Sequence, residues 1–535
     1  MAAAADPARW PAAPARARRP ARQRIVIAVI LALIAAALVL RFGAAPLDRY
    51  DEGLTVMNAM LISDGAVPYR DFWTNYGPLD GLVLGLLFHL LGMQVLIERL
   101  LAAAVAILFT AASWWLTGIA GLRSPMRVLM TGLLAFVSVS VPALSTAVLA
   151  DLIGVCAFAC YFRFLDRRGL ALPLACGALT GLAAFTRPEF AAVLALGLAS
   201  GFGLLAIRRQ DGARPALAGY LLASAATAAI LWTPVVVTAS WSTVYDILVV
   251  HTLTLYPQGR HIPLGQGPDA AAVLAFSGGF ALVWVWSGVR ALRRRRSPVE
   301  AARLLAPLLS AVLVFDWVLA RADAPHAIGA WPLTAVLLAV LIGQRLGGRP
   351  PRRADLAVSA IGVALFCGAI VALAARDLAR PSDPTAVIPR AALVGARAWI
   401  PAADLASVVR TIDGAAAPGQ PIFVGLQHND RVVFNDAMLY FLAGRHPGTR
   451  YEEYEPGLTT LDRVQRAITC QLARSGTTLA VLGPNTVGEP WNASSRPGSS
   501  WLDDWLTAHT VSRLELSPYV LLRLRLLPQD RDCQP

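Results

Sequence analysis

The stretch "DRYDEGLTVMNAMLISDGAVPYRDFWTNYGPLDG" occupies residues 48–81 and comes soon after "RIVIAVILALIAAALVL" (24–40), an apolar run of the length that crosses a bilayer. A segment this dense in acids, aromatics and turn residues cannot itself span. It reads as a polar loop lying at one membrane surface, and the rest of the chain has to explain why it is there. Of 535 residues 56% are hydrophobic and only 15% charged, a balance outside the range of soluble proteins. The chain is therefore read as an α-helical polytopic membrane protein.

All 47 basic residues are Arg, and the net charge is +13. The Arg residues do not form a nucleic-acid face. They cluster between apolar runs: Arg9, Arg16, Arg18, Arg19, Arg22 and Arg24 in the N-terminal tail, Arg123 with Arg127, then 163–168, 207–214, 290–296 and 345–353. The positive-inside rule places these clusters in the cytoplasm. About eleven spans result, near 25–41, 94–119, 127–143, 147–165, 170–185, 189–207, 217–239, 271–291, 303–320, 327–343 and 356–375. The first span follows a basic tail but lacks a small-residue cleavage site, so it is read as an uncleaved helix and not a signal peptide. Residues 1–24 read as a disordered cytoplasmic tail and 25–375 as the membrane domain.

The segments 53–63 and 79–92 are too short to cross and read as interfacial helices. At Arg187-Pro188 two spans meet in a turn, because Pro disfavours helix in the residue before it. From 376 to 535 the pattern changes to that of a soluble α/β domain. Strands are predicted at 421, 478 and 519, with helices near 435–443, 459–474 and 500–508. An odd number of spans puts this domain outside the cell, where Cys470 and Cys533 are able to form a disulfide. Its polar and aromatic stretch 428–457 reads either as an acceptor-binding surface or as a lid on the membrane part.

Ionisable residues near the apolar region are costly and mark function. Here they gather on the outer side: Asp48, Asp51, Glu52, Asp64, Arg70, Asp71, Arg187, Glu189, His251, Arg260, His261, Arg321, Asp323 and His326. A carboxylate accepts a proton from an attacking hydroxyl, and Arg holds a phosphate leaving group through bidentate hydrogen bonds. Glycosyl transfer from a lipid phosphate needs both. No HxxH, HExxH or DxD pattern occurs in the outer loops. A divalent metal is compatible with so many acids, but no metal ligand is assigned and no other cofactor is expected.

"DRYDEG", "GAVPYRDFWTNYGPL", the interfacial helix, "GLAAFTRPEF" (181–190) and the C-terminal soluble domain together resemble the GT-C superfamily of polyprenyl-phosphate-sugar-dependent glycosyltransferases. The similar branch contains protein mannosyltransferases and the lipid A aminoarabinose transferase. "LVVHTLTLYPQGRHIP" and "RADAPH" are also similar to motifs of this set. The resemblance implies an inner or plasma membrane enzyme of the cell envelope, using a polyprenyl-phosphate sugar and an extracytoplasmic glycan, lipid or protein acceptor. It implies that a first-loop acid, Asp51 or Glu52, is the base of an inverting transfer, with Asp51 preferred. Arg187, Arg260 and Arg321 would bind phosphate, and His326 phosphate or sugar.

Each assignment has a plainer competitor. Asp51 and Glu52 are also what a helix N-terminus favours, Arg70 and Asp71 suit a surface ion pair, and Arg187 suits snorkelling to headgroups. Arg321, Asp323 and His326 suit a loop anchor. Tyr76 belongs to an interfacial aromatic belt or stacks on sugar. Arg70, Asp71, Glu189, His251 and Asp323 complete the substrate-binding set, with Tyr76 and the residues above. A transporter or lipid flippase with an outer polar cavity is the alternative reading, although neither repeated halves nor broken midplane helices stand out.

Overall fold

A computed structural model describes residues 21–140, 143–267, 269–293, 297–346, 353–380, 387–394, 402–431, 434–455, 457–485 and 489–533. The tail expected over 1–24 lies outside the described residues as far as position 20, as do 294–296 and 347–352 of the Arg clusters and Pro142 of the expected turn. The chain opens with α1 (Ala21–Ala44), so helix begins earlier than the expected position 25. Two short helices follow, α2 (Asp51–Ser63) and α3 (Leu79–Leu91). The bundle continues through α4 (Val95–Ile119), α5 (Ser124–Ser140), α6 (Thr146–Arg167), α7 (Ala171–Ala184), α8 (Pro188–Ile207) and α9 (Ala213–Ala239). Next come α10 (Trp241–Tyr245), a π-helix (Asp246–Leu255) and α11 (Tyr256–Arg260). It ends with α12 (Ala270–Arg293), α13 (Pro298–Val314), α14 (Asp316–Ala320), α15 (Ala324–Leu346) and α16 (Arg353–Leu378).

Among the described residues eight helices are long and apolar enough to cross a membrane. They are α4, α6, α8, α9, α12, α13 continued by α14, α15 and α16, which makes this a multi-pass membrane protein. The other three expected spans correspond to α1, α5 and α7, whose apolar stretches are shorter. Helices α6 and α15 are mostly buried inside the bundle, whereas α9, α12 and α16 turn nearly all of their apolar surface outward. Leu221, Leu222, Ile230 and Val237 on α9 are exposed. A helix that is apolar all round and unburied is suited to a lipid environment.

Close helix packing in a bilayer relies on small residues, since lipid removes the hydrophobic incentive to associate. The sequence "GALTG" supplies this on α7. A Cβ on Gly177 would lie 2.2 Å from the Tyr220 carbonyl oxygen, and one on Gly181 2.6 Å from that of Ser224. Between them Thr180 and Tyr220 share a hydroxyl hydrogen bond of 3.3 Å. This contact fixes α7 against α9 and so sets where the α7–α8 turn emerges.

The C-terminal part contains α17 (Ala402–Ala415), β1 (Phe423–Leu426), α18 (Met438–Ala443), α19 (Asp462–Ser475), β2 (Leu479–Gly483), α20 (Trp501–His509), β3 (Thr510–Leu516) and β4 (Tyr519–Leu524). Its sheet has the order β1-β2-β4-β3, with β1 and β2 parallel and the other pairs antiparallel. Strands β1, β2 and β4 are the three expected from sequence; β3, whose side chains are mostly exposed, and α17 are additions that the sequence pattern does not predict. A Cys470–Cys533 disulfide ties α19 to the C-terminal segment.

This domain is seated directly on the first loop. Met438 N–H donates to the Arg49 carbonyl at 3.1 Å and Trp73 N–H to that of Arg450 at 2.9 Å. Gly53 of "DRYDEG" permits the approach, because a Cβ there would lie 2.5 Å from Met438 N. The stretch 428–457 therefore packs onto the membrane part. Gly177→Ile is expected to lower the thermal midpoint in detergent by an amount equivalent to about 1–3 kcal/mol. Gly203→Ile, at a position with nothing within 4 Å of its Cβ, should leave the midpoint unchanged.

Candidate active site

Tyr50 N–H donates to Asp48 Oδ1 at 2.9 Å, turning the chain into α2, so that Asp51 and Glu52 both sit in its first turn. Successive helical residues point about 100° apart. The structure accordingly sends the adjacent acids in different directions. Glu52 is fully buried and receives Arg99 through both oxygens, Nε to Oε1 at 2.6 Å and Nη2 to Oε2 at 2.7 Å. Its Oε2 also accepts from Asp48 N–H at 2.8 Å. Glu98, equally buried, lies 3.4 Å from Arg99 Nε and accepts from Leu144 N–H. Arg99 Nη1 and Nη2 further donate to the carbonyls of Phe42 and Pro46 at 3.3 and 3.0 Å. Glu52 is thus spoken for by the core, whereas Asp51 is left to face open space.

Asp51 opens on a cavity of about 220 Å³. The same cavity is lined by Tyr76, Asp80, Arg187, Trp317, His326 and Glu453, with Leu144, Ser145, Thr146 and Ala147 forming another wall. Asp51 has surface open to this space but is ringed by protein. Loss of bulk water, reinforced by Asp48 and opposed by Arg260 and Arg321, pushes its carboxyl up to about 6. Such a group is mostly ionised at neutral pH yet far more basic than an ordinary aspartate.

Arg187 has an extended backbone, and Pro188 begins α8 immediately after it, in keeping with the turn expected there. Its guanidinium lies over Tyr76 (5.0 Å to the ring centre) and Trp317 (4.4 Å), and Nε donates to Glu189 Oε1 at 2.6 Å. Stacking and the single tether hold the group in place. Among the described residues its two terminal nitrogens have no hydrogen-bond partner, which leaves one edge for an oxyanion. His326 gives Nδ1 to Asp323 at 2.6 Å. Burial opposes the Asp323 charge, but the bond to His326 and the charges of His326 and Arg321 hold that carboxyl down at about 2.

Other predicted residues lie elsewhere. Arg260 is paired with Glu455 (Nε to Oε2, 2.9 Å), and its Nη2 also donates to Tyr50 Oη at 3.4 Å. Arg321 forks onto Glu489 at 2.6 and 3.0 Å and reaches Asp323 at 2.6 Å. Both carboxylates, Glu455 and Glu489, come from the C-terminal domain, so these two Arg residues are domain anchors in this structure. Arg70 and Asp71 form a forked pair at 2.8 and 2.7 Å on the surface. Glu189 serves Arg187. His251 is buried in the π-helix, edge-on to Trp73 at 5.0 Å, and burial pushes its imidazole down.

Two acids line the cavity beyond those expected from sequence, and a third, Asp151, is buried nearby. Asp80, in the first turn of α3, lines the cavity, and burial raises it to about 6. Glu453 reaches the cavity from the C-terminal domain. Asp151 is fully buried on α6, just over one turn below Ala147, and neither carboxylate oxygen has a hydrogen-bond partner among the described residues. Only Asp151 carried a sequence signal, as a lone acid inside an apolar span. Among the described residues the one trio close enough to share a metal ion is His428, Asp430 and Asp503, in the C-terminal domain. Asp503 there already accepts from Asn429 Nδ2 at 2.7 Å. None of the cavity acids belongs to that group.

No protein-family model and no curated protein sequence matches the chain. Solved structures do. ArnT from Cupriavidus metallidurans bound to undecaprenyl phosphate superposes with a TM-score of 0.54 at 17% identity, covering 94% of this chain and 98% of that one. The apo form of the same protein gives 0.56 at 15% identity with the same coverage. The chain has the ArnT fold. A fainter likeness, TM-score 0.41 at 11% identity over 84% of this chain and 68% of the other, is to the Archaeoglobus fulgidus oligosaccharyltransferase. In the ArnT-like frame the first-loop acids, the α7–α8 turn and the C-terminal domain belong to one continuous architecture.

Removing Arg99 would leave Glu52 and Glu98 facing each other without a cation. Arg99→Met is expected to cost about 3–5 kcal/mol of stability. Glu52→Gln in the same chain should restore part of it, read as thermal midpoints in one detergent.

Proposed function

We propose that the protein is an inverting membrane glycosyltransferase that moves a sugar from a polyprenyl-phosphate carrier to a hydroxyl of an extracytoplasmic glycan, lipid or protein. The observation that carries this reading is the pairing, in one cavity, of a carboxylate with raised basicity, Asp51, and an Arg with a free edge, Arg187. The ArnT fold supports it, since the ArnT structure holds undecaprenyl phosphate.

The chemistry follows from the two groups. Asp51 takes the proton of the acceptor hydroxyl as its oxygen attacks the anomeric carbon. The bond from that carbon to the phosphate oxygen breaks on the opposite face, giving inversion. The electron pair leaves on the polyprenyl phosphate, whose added negative charge Arg187 neutralises through charge-assisted hydrogen bonds. Tyr76 and Trp317 keep the guanidinium stacked during this change, and His326, held by Asp323, offers Nε2 to sugar or phosphate. Arg260 and Arg321 contribute to the positive field around Asp51 without touching substrate.

The proposed orientation has the N-terminus in the cytoplasm and the C-terminal domain outside. Two observations support it. Arg123, Arg127, Arg167, Arg168, Arg208 and Arg209 border the helix connections at the end of the bundle away from the cavity. The Cys470–Cys533 disulfide suits an oxidising compartment.

In vesicles containing the lipid-linked donor, Asp51→Asn should reduce transfer by roughly 10²–10⁴-fold while the thermal midpoint is kept. Full transfer by that variant would refute the assignment, and lipid translocation without sugar transfer would favour a flippase. The base must be ionised, and its carboxyl lies at about 6, so the transfer rate should be level above that pH and fall tenfold per pH unit below it.

A further inference from the structure

Glu453, like Asp80, is a cavity acid that the transfer chemistry leaves without a task. It comes from the segment "YEEYEPG" (451–457), roughly 400 residues from Asp51 in sequence, yet it lines the same cavity. Its neighbours are committed. Glu455 holds Arg260, the Tyr454 carbonyl accepts from Tyr50 Oη at 2.9 Å, and the Tyr454 hydroxyl donates to Asn429 Oδ1 at 3.1 Å. These bonds fix the chain on the C-terminal side of Glu453. Glu452 is buried away from the cavity, and its carbonyl accepts from Asn435 Nδ2 at 2.8 Å. The Glu453 carboxyl itself has no hydrogen-bond partner among the described residues, although the residue is only 3% exposed.

The charged groups around it are Glu455, Glu452, Asp51 and, opposing them, Arg260, which Glu455 already neutralises. Burial first, then the charges of Glu455 and Glu452, hold the Glu453 carboxyl well above the usual carboxylate range. In its acid form the group donates one hydrogen bond and accepts others. Two carboxyls held in different surroundings within one cavity divide the work between them.

We propose that Glu453 binds a sugar or acceptor hydroxyl beside Asp51, so that the C-terminal domain supplies part of the substrate site. This rests on the transferase reading given above. Glu453 is assigned no role as a second base; its unpartnered carboxyl, facing the cavity, fixes a hydroxyl through hydrogen bonds. The hydroxyl belongs either to the transferred sugar or to the acceptor, and kinetics separate the two.

The test uses the purified full chain with Glu453→Gln, which keeps a donor and an acceptor of the same shape, and Glu453→Leu, which keeps volume but neither. Glu453→Gln should transfer within about threefold of wild type, and Glu453→Leu should lose about 10-fold or more in kcat/KM. A higher KM for the acceptor places the hydroxyl there, and a higher KM for the lipid-linked donor places it on the sugar. Wild-type kcat and KM for both substrates in Glu453→Leu overturn the proposal while leaving the transferase reading intact. A wild-type chain that transfers no sugar removes both. Should Glu453→Leu fail to fold, wild-type Glu453 is treated with dicyclohexylcarbodiimide, which attacks protonated carboxyls, and its modification is followed by peptide mass spectrometry. Labelling that decreases when substrates are present supports the site, and an unmodified Glu453 contradicts it.

Discussion

The buried cluster of Glu52, Glu98 and Arg99 is the constraint on which the site depends. Three ionisable groups with almost no exposure are tolerated inside a protein only when every charge has a partner. Here the partners come from four places. Arg99 on α4 holds Glu52 of α2 and the carbonyls at the end of α1, while Glu98 beside it holds Leu144 of the α5–α6 connection. Two walls of the cavity, the one bearing Asp51 and the one formed by 144–147, are thereby referred to a single point. The cluster does no chemistry itself. It decides that Asp51, and not its neighbour, faces the open space.

A second layer of constraint comes from the C-terminal domain. By residue type and position in the sequence alone, Arg187, Arg260 and Arg321 are equally suited to bind phosphate. In the folded chain two of them are answered by carboxylates more than 150 residues away, Arg260 by Glu455 and Arg321 by Glu489. Each pair is largely buried, so removing either partner would strand a charge. Only Arg187 is held mainly by aromatic faces and one short tether, an arrangement that positions a cation without consuming it. The domain thus sharpens the site by subtraction, occupying the competing cations and adding one acid of its own.

Much of the fold is legible in the sequence because the bilayer imposes a coarse rule: spans must be long and apolar, and everything else must lie at a surface. The short helices α2 and α3, the Arg187-Pro188 turn and three of the four strands all follow from local pattern. Strand β3, "TVSRLEL", is not legible because its exposed side chains dilute the apolar alternation. The site is only partly legible. Asp51, Tyr76, Arg187 and His326 are expected from sequence and line the cavity. The partners of Arg260 and Arg321 are set by tertiary packing, which no local spacing reveals. Asp80 has the sequence signature of an ordinary first-turn acid of α3, and Glu453 lies in a stretch whose polarity is visible but whose reach is not.

The most direct measurement is the structure of the full chain with undecaprenyl phosphate bound. The expected result is the phosphate within hydrogen-bond distance of the free edge of Arg187, in the cavity that Asp51 faces, with the Glu455–Arg260 and Glu489–Arg321 pairs intact. A phosphate held instead by Arg260 or Arg321, with Glu455 or Glu489 displaced and the Asp51 cavity empty, would contradict the central claim.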